Sequence, residues 1–146
     1  MKKPKIIFVD DEKMWSAPYV RELEKIYEVL YRKQANTGLT AVTSNEDARL
    51  LILDIMMPSP SEELDGETEN GLATGIWLLE QIRPVIIGRP LPVLILTNRI
   101  LNTIARSIAD VSIPKNLLEI RFKMDTPKFY IPHLVGEMLQ KNSPQK

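Results

Sequence analysis

Three short stretches of the chain are almost purely aliphatic: Lys5–Val9 (KIIFV), Ala48–Leu53 (ARLLIL) and Leu91–Leu96 (LPVLIL). Runs this short, rich in Ile, Val and Leu and bounded by polar residues, predict strands buried on both faces of a parallel sheet. Tyr27–Arg32 (YEVLYR) mixes β-branched and aromatic residues with charge and reads as an edge-side strand, and Leu118–Lys123 (LEIRFK) alternates, with Leu118, Ile120 and Phe122 on one side. Helical spacing fills the intervals. Tyr19, Val20, Leu23 and Ile26 form a first helix behind Ser16 as N-cap, with Pro18 in its first turn. A short second helix is expected over Gly38–Asn45, with Leu39 and Val42 inward. Ile76, Leu78, Leu79 and Ile82 give a third, ended by Pro84; Ile100, Ile104 and Ile108 a fourth; Leu134, Val135, Met138 and Leu139 a closing helix. Five alternations of strand and helix predict a doubly wound α/β domain, because right-handed crossovers place helices on both faces of a parallel sheet.

Composition narrows the picture. A length of 146 residues suits one core, expected over residues 1–141 with a loose tail at 142–146, and 44% hydrophobic with 26% charged residues is ordinary for a globular chain. Lys plus Arg and Asp plus Glu both number 19, so no basic surplus is on hand to neutralise a phosphate backbone, and nucleic acid is not the expected partner. No apolar run approaches the ~20 residues that span a bilayer, so no membrane role is expected. The absence of cysteine excludes disulfides and thiolate chemistry and fits a reducing compartment, with the cytoplasm as the default.

The informative chemistry lies where the strands end. In open α/β sheets the functional crevice sits at the carboxyl ends of the strands. The first strand runs into Asp10, Asp11 and Glu12, the third into Asp54, the fourth into Thr97 and the fifth into Lys123. Two carboxylates ~4 Å apart repel by about 4 kcal/mol at an effective dielectric near 20, so such a cluster calls for a cation or a raised pKa. Magnesium suits it, since that ion takes one or two carboxylates and retains waters. Asp11 and Asp54 are the expected direct ligands, with Asp10 binding through water. A carboxylate beside a metal is a competent nucleophile towards phosphorus, and Lys123 and Thr97 could neutralise and hydrogen-bond the transferred group.

At these residues the sequence resembles the response-regulator receiver family of two-component signalling, through IIFVDDE, LLILDIMMP, LPVLILT and the lysine ending strand five. The resemblance spans nearly the whole chain. It implies a flavodoxin-like sheet of strand order 2-1-3-4-5 and phosphorylation of Asp54 by a histidine kinase or histidine phosphotransfer protein. Asp10, Asp11, Asp54 and the Met56 backbone carbonyl would hold Mg2+, and Thr97 and Lys123 would contact the phosphoryl group. The chain would then be a stand-alone phosphoacceptor rather than an enzyme. Its output would go to a protein partner through the face of helix four, strand five and helix five, either as a binding surface or as a homodimer.

Four features depart from that pattern or stand apart from it. The family usually follows the strand-five lysine with proline, whereas here Met124 follows, which leaves Lys115 and Lys128 as competing candidates. A cis peptide there would cost ~2.5–4 kcal/mol without proline, so either strain is stored or the turn differs. Ile120 stands where many receivers carry a Tyr or Phe that reports phosphorylation by rotating. The one histidine, His133, is assigned no role. Ser59–Thr74 separates the MMP turn from Gly75 with Glu62, Glu63, Asp65, Glu67 and Glu69 and no Lys or Arg. Such a stretch reads as a solvated, mobile loop, and functionally as an acidic flap that screens phosphodonors. Its partial likeness to a calcium loop fails at Asn70 and Ile76. Two other readings stay open: an interaction module that is never phosphorylated, and a phosphoaspartyl hydrolase in which Asp10 and Glu12 act as nucleophile and second acid.

Overall fold

The computed structural model describes residues 2–98 and 102–142. Five strands, β1 (Lys5–Val9), β2 (Glu28–Arg32), β3 (Ala48–Leu53), β4 (Val93–Thr97) and β5 (Leu118–Phe122), form one all-parallel sheet of order β2-β1-β3-β4-β5. Five helices connect and close it: α1 (Lys13–Glu24), α2 (Ala35–Ser44), α3 (Thr74–Gly88), α4 (Asn102–Val111) and α5 (Ile131–Lys141). The fold is therefore the three-layer, doubly wound α/β arrangement that the strand pattern predicts.

Period-two alternation divides the core into two halves. Ile7 and Val9, Leu51 and Leu53, and Val93 and Ile95 point to the face covered by α2, α3 and α4, where they meet Val42, Leu79, Ile82 and Ile108. Their neighbours Ile6 and Phe8, Leu50 and Ile52, and Leu94 and Leu96 point to the face covered by α1 and α5, against Tyr19, Leu23, Leu134 and Val135. Because the three central strands are buried on both faces, they need unbroken aliphatic sequence, and burial of each such side chain contributes about 1.5–3 kcal/mol. The edge strands β2 and β5 have one neighbour each and carry two charged residues apiece, against Lys5 alone on β1, Arg49 alone on β3 and none on β4.

Helix boundaries differ from the sequence expectation. Helix α1 begins at Lys13, three residues before Ser16, and Ser16 lies buried inside it rather than capping it. The Asp10 carboxylate accepts the Glu12 N–H at 2.9 Å, so an acid of the strand end tightens the turn into the helix. Pro18 and Pro84 both lie within helices, and Pro84 does not end α3. Each deprives the carbonyl four residues earlier of its donor, but those carbonyls belong to Met14 and Glu80, both exposed, where water can serve instead. Helix α2 also starts early, at Ala35, and turns Ala35, Gly38, Ala41 and Val42 inward while Leu39 is only half-buried. Strand β4 starts at Val93 rather than Leu91, with the Pro92 carbonyl accepting the Leu51 N–H. On β5 the alternation does not separate inside from outside: Ile120 is 46% exposed, as an edge strand allows. In α4, Ile104 and Ile108 are buried as expected, and Ile100 lies outside the described residues, as do residues 143–146 of the tail.

The acidic excursion after β3 is folded rather than open. It contains a 3-10 turn at Glu62–Leu64 and closes on itself where the Met57 N–H donates to the Gly71 carbonyl at 3.0 Å and the Thr74 hydroxyl to the Met57 carbonyl at 2.7 Å. Thr68 is fully buried, and its carbonyl accepts the N–H groups of Gly71 and Ala73. Gly71 sits at φ +94°, and a Cβ there would lie 2.7 Å from the Met57 carbonyl oxygen, so glycine is required at the closure. A compact surface loop with its ends bonded together is an Ω-loop.

Candidate functional site

The strand ends bring Asp10, Asp11 and Asp54 together at one corner of the sheet. One carboxylate oxygen from each lies within 4.8 Å of the others, and among the described residues this is the only group of three or more acids, histidines or cysteines gathered in this way. Asp10 and Asp54 are 1% and 2% exposed, Asp11 half-buried. Sheet order explains the convergence, because β1 and β3 are neighbours and both run towards this edge. Glu12 is exposed and outside the group.

Lys123, only 3% exposed, reaches into the corner from the residue after β5. Its Nζ lies 2.9 Å from Asp54 Oδ2 and 2.8 Å from Asp10 Oδ2. The other candidate lysines lie elsewhere: Lys115 is exposed at the opposite end of β5, and Lys128 is exposed with its Nζ 5.0 Å from the Phe129 ring centroid. The opposite oxygen of Asp54, Oδ1, accepts the N–H groups of Ile55 at 2.7 Å and Met56 at 3.4 Å. Gly75 lets α3 press on this turn, for a Cβ there would lie 2.2 Å from the Asp54 carbonyl oxygen. Thr97 ends β4 in full burial, and its carbonyl accepts the Lys123 N–H at 3.0 Å, which ties the two strand ends together.

The electrostatics are unbalanced. Three carboxylates face one ammonium, leaving two formal negative charges in a largely buried corner. Burial, followed by the nearby Asp54, pushes the Asp10 carboxyl up to about 6 despite its bond to Lys123. Burial, then Asp54 and Glu12, also raises Asp11. For Lys123, burial pulls the pKa down, but Asp54 and Asp10 together outweigh it, and the net shift is upward. Asp11 Oδ1 is buried without a hydrogen-bond partner. An orphaned carboxylate oxygen beside two further acids is what a divalent cation with oxygen ligands would satisfy, so the residues fit a Mg2+ ion. Met56, whose carbonyl is the expected fourth ligand, follows Asp54 by two residues and is itself exposed.

The Ω-loop returns beside this corner. Asn70, Gly71 and Leu72 share a shallow cleft of about 430 Å³ with Asp11, Glu12 and the Met56–Pro58 turn. His133 is exposed on α5, paired with Glu137 at 2.6 Å, away from the site residues. Two residues that sequence reasoning treated only as apolar packing also touch the corner. The Tyr31 hydroxyl donates to the Asp10 carbonyl, and the Tyr19 hydroxyl lies 3.1 Å from the Lys123 carbonyl oxygen. The available signal was chemical: a tyrosine on a buried face needs a partner for its hydroxyl.

No protein-family model and no curated protein sequence matches the chain. Among solved structures, a CheY-like response regulator receiver domain protein from Methanospirillum hungatei JF-1 superposes with a TM-score of 0.72 at 18% identity, over 96% of each chain. A Francisella response regulator receiver domain gives 0.70 at 16% identity, over 97% of this chain and 100% of that one. The isolated receiver domain of RcsB from Salmonella enterica, solved with the phosphomimetic BeF3−, gives 0.66 at 22% identity, over 99% and 93%. The chain thus has the receiver fold along nearly its whole length.

Proposed function

We propose that this chain is a phosphoacceptor receiver: Asp54 takes a phosphoryl group from the phosphohistidine of a kinase or phosphotransfer protein, in a Mg2+-dependent step. One observation carries the reading. Asp54 is a buried carboxylate held by backbone N–H groups on one oxygen and a buried lysine on the other, in a corner where three carboxylates share one ammonium.

Asp10, Asp11, Asp54 and the Met56 carbonyl are the groups that would hold magnesium. When bound, the ion would supply charge neutralisation at the phosphoryl oxygens. The chain's own part is positioning. An Asp54 carboxylate oxygen forms the new O–P bond while the donor's P–N bond breaks; its electron pair returns to the imidazole nitrogen, which is then protonated. Lys123 moves from Asp54 Oδ2 to a phosphoryl oxygen, exchanging one charge-assisted hydrogen bond for another, and the Thr97 hydroxyl donates to a second. The lysine's switch of partner is the event available to bias the face of α4, β5 and α5 towards a protein partner.

A second reading has its own observation. Lys123 already bonds both Asp10 and Asp54, and Ile120 on β5 is exposed and aliphatic, as suits a static module that binds its partner unphosphorylated. Intact mass after incubation with magnesium and acetyl phosphate, beside Asp54→Ala, separates the two. One labile phosphoryl adduct that the mutant lacks is expected. Magnesium binding without any adduct, from acetyl phosphate or from a kinase, would instead establish the static module. Turnover beyond one equivalent of phosphate per chain would point to a hydrolase.

A further inference from the structure

Lys123 carries its charge from an unpromising place. It follows an edge strand with three residues half-buried and two exposed, and the next two residues, Met124 and Asp125, are exposed, Met124 by 81%. Packing around the lysine's own segment therefore does little to fix its backbone. Its N–H is tied to the Thr97 carbonyl at 3.0 Å, and its carbonyl is held by the turn that follows. The Thr126 N–H donates to the Lys123 carbonyl and the Asp125 N–H to the Phe122 carbonyl, both at 3.2 Å, while Lys123 and Thr126 are 3% and 2% exposed.

Into this turn reaches a single side chain from the far end of the sequence. The Tyr19 hydroxyl, on α1, lies 2.7 Å from the Thr126 carbonyl oxygen and 3.1 Å from the Lys123 carbonyl oxygen. One phenolic proton is shared between two acceptors, with the nearer Thr126 carbonyl taking the larger part. The Tyr19 ring is buried with Phe8, Leu23 and Ile131, so the hydroxyl cannot wander. Burial also raises the phenol's pKa, which keeps it a neutral donor at physiological pH.

We infer that Tyr19 is a positioning residue for Lys123: its hydroxyl pins the turn from which the lysine side chain spans Asp10 and Asp54. The inference rests on Asp54 being the acceptor. The lysine's transfer from carboxylate to phosphoryl oxygen then needs only side-chain rotation about a fixed backbone. Misplacement by about 1 Å can cost up to 10²-fold in such a step.

The test uses the full chain and Tyr19→Phe, which keeps the buried ring and removes the hydroxyl. Adduct formation from acetyl phosphate should slow by about tenfold, with the magnesium dissociation constant unchanged within about twofold. In a Lys123→Ala background the same substitution should have no further effect, since Tyr19 acts through that lysine. Equal slowing in both backgrounds, or no slowing in the first, overturns the inference. A readout independent of phosphorylation is the Nζ resonance of Lys123 in the metal-free protein. Tyr19→Phe should shift and broaden it while the amide spectrum elsewhere is retained; an unchanged resonance overturns the inference. If the wild-type chain forms no adduct, it is the acceptor reading that fails, and the lysine resonance alone then decides the role of Tyr19.

Discussion

Two acid-rich regions meet at the same edge of the sheet and behave as opposites. The corner has three carboxylates, two fully buried and one half-buried, sharing one ammonium. The Ω-loop has five, of which Glu62, Glu63, Glu67 and Glu69 are exposed and Asp65 is half-buried, with no Lys or Arg among them. The loop carries more charge, yet only the corner combines burial, convergence and an orphaned oxygen. Carboxylates become a chemical site through the water they have lost rather than through their number. In the corner each charge must be answered by another protein group or an ion, while exposed loop acids such as Glu62 and Glu63 stand open to water.

The severest way to break the comparison is Lys123→Ala. It leaves two buried acids without their cation and should cost about 3–5 kcal/mol in urea unfolding without magnesium, whereas Glu62→Gln should stay within about 0.5 kcal/mol. Similar small losses in both would mean that the corner is wetter than its burial indicates. A proton can also answer the charge. Burial and the nearby Asp54 push the Asp10 carboxyl up to about 6 from its ordinary 3.8, so the folded state favours its protonated form. This contribution is present in full below pH 3.8 and is lost as pH rises through 6, amounting to about 3 kcal/mol at most. Asp11 shifts in the same direction. Metal-free stability should therefore decline from about pH 4 to above 6, and Asp10→Asn should flatten that slope in a pH series of urea midpoints.

How much of this was legible in the sequence follows from what each feature depends on. The central strands depend on local composition: β1 and β3 have the bounds that KIIFV and ARLLIL predict, and the ends of those strands delivered the three acids. Pro84 misled, because whether a proline ends a helix depends on whether the orphaned carbonyl meets water, a tertiary property, and Pro18 lies beyond the first turn expected for it because α1 starts at Lys13. The excursion reads as open chain from its charge, since the closure of Met57 on Gly71 and the burial of Thr68 involve no periodic pattern. Tyr19 looks like any inward helix residue. The partner of its hydroxyl lies 104 residues away, and no local signal could place it.

A divalent cation sharpens the contrast next. At a hundredfold excess over its dissociation constant, magnesium should stabilise the folded chain by about 2.7 kcal/mol, read as a rise in melting temperature. Asp11→Asn should abolish most of that gain, because Asp11 is the acid that Lys123 does not bond. Neutralising Glu67 and Glu69 to Gln should leave it intact. A gain that survived in Asp11→Asn would place the cation elsewhere.

The smallest expected effect concerns the loop itself, and here stability and rate should part. Changing Glu62, Glu63 and Glu67 to Gln removes exposed charge while leaving Thr68 and the Gly71 closure in place, so each change should shift stability by less than about 0.5 kcal/mol. Yet the loop's last residues line the same cleft as Asp11 and Met56. The field of exposed glutamates extends about 8–10 Å at physiological salt, and a donor entering that cleft meets the end of the loop that carries them. An anionic donor such as acetyl phosphate should therefore phosphorylate the neutralised chain a few-fold faster at low ionic strength, with the gain fading towards about 1 M salt, where screening falls to ~3 Å. Deleting Ser61 to Asn70 should alter the same rates, at a stability cost near 1 kcal/mol as Thr68 is lost while a shorter loop recovers closure entropy. Equal rates for wild type, neutralised chain and deletion, across donors of different charge, would mean that the loop is only a surface excursion. The corner would then choose its donors without it.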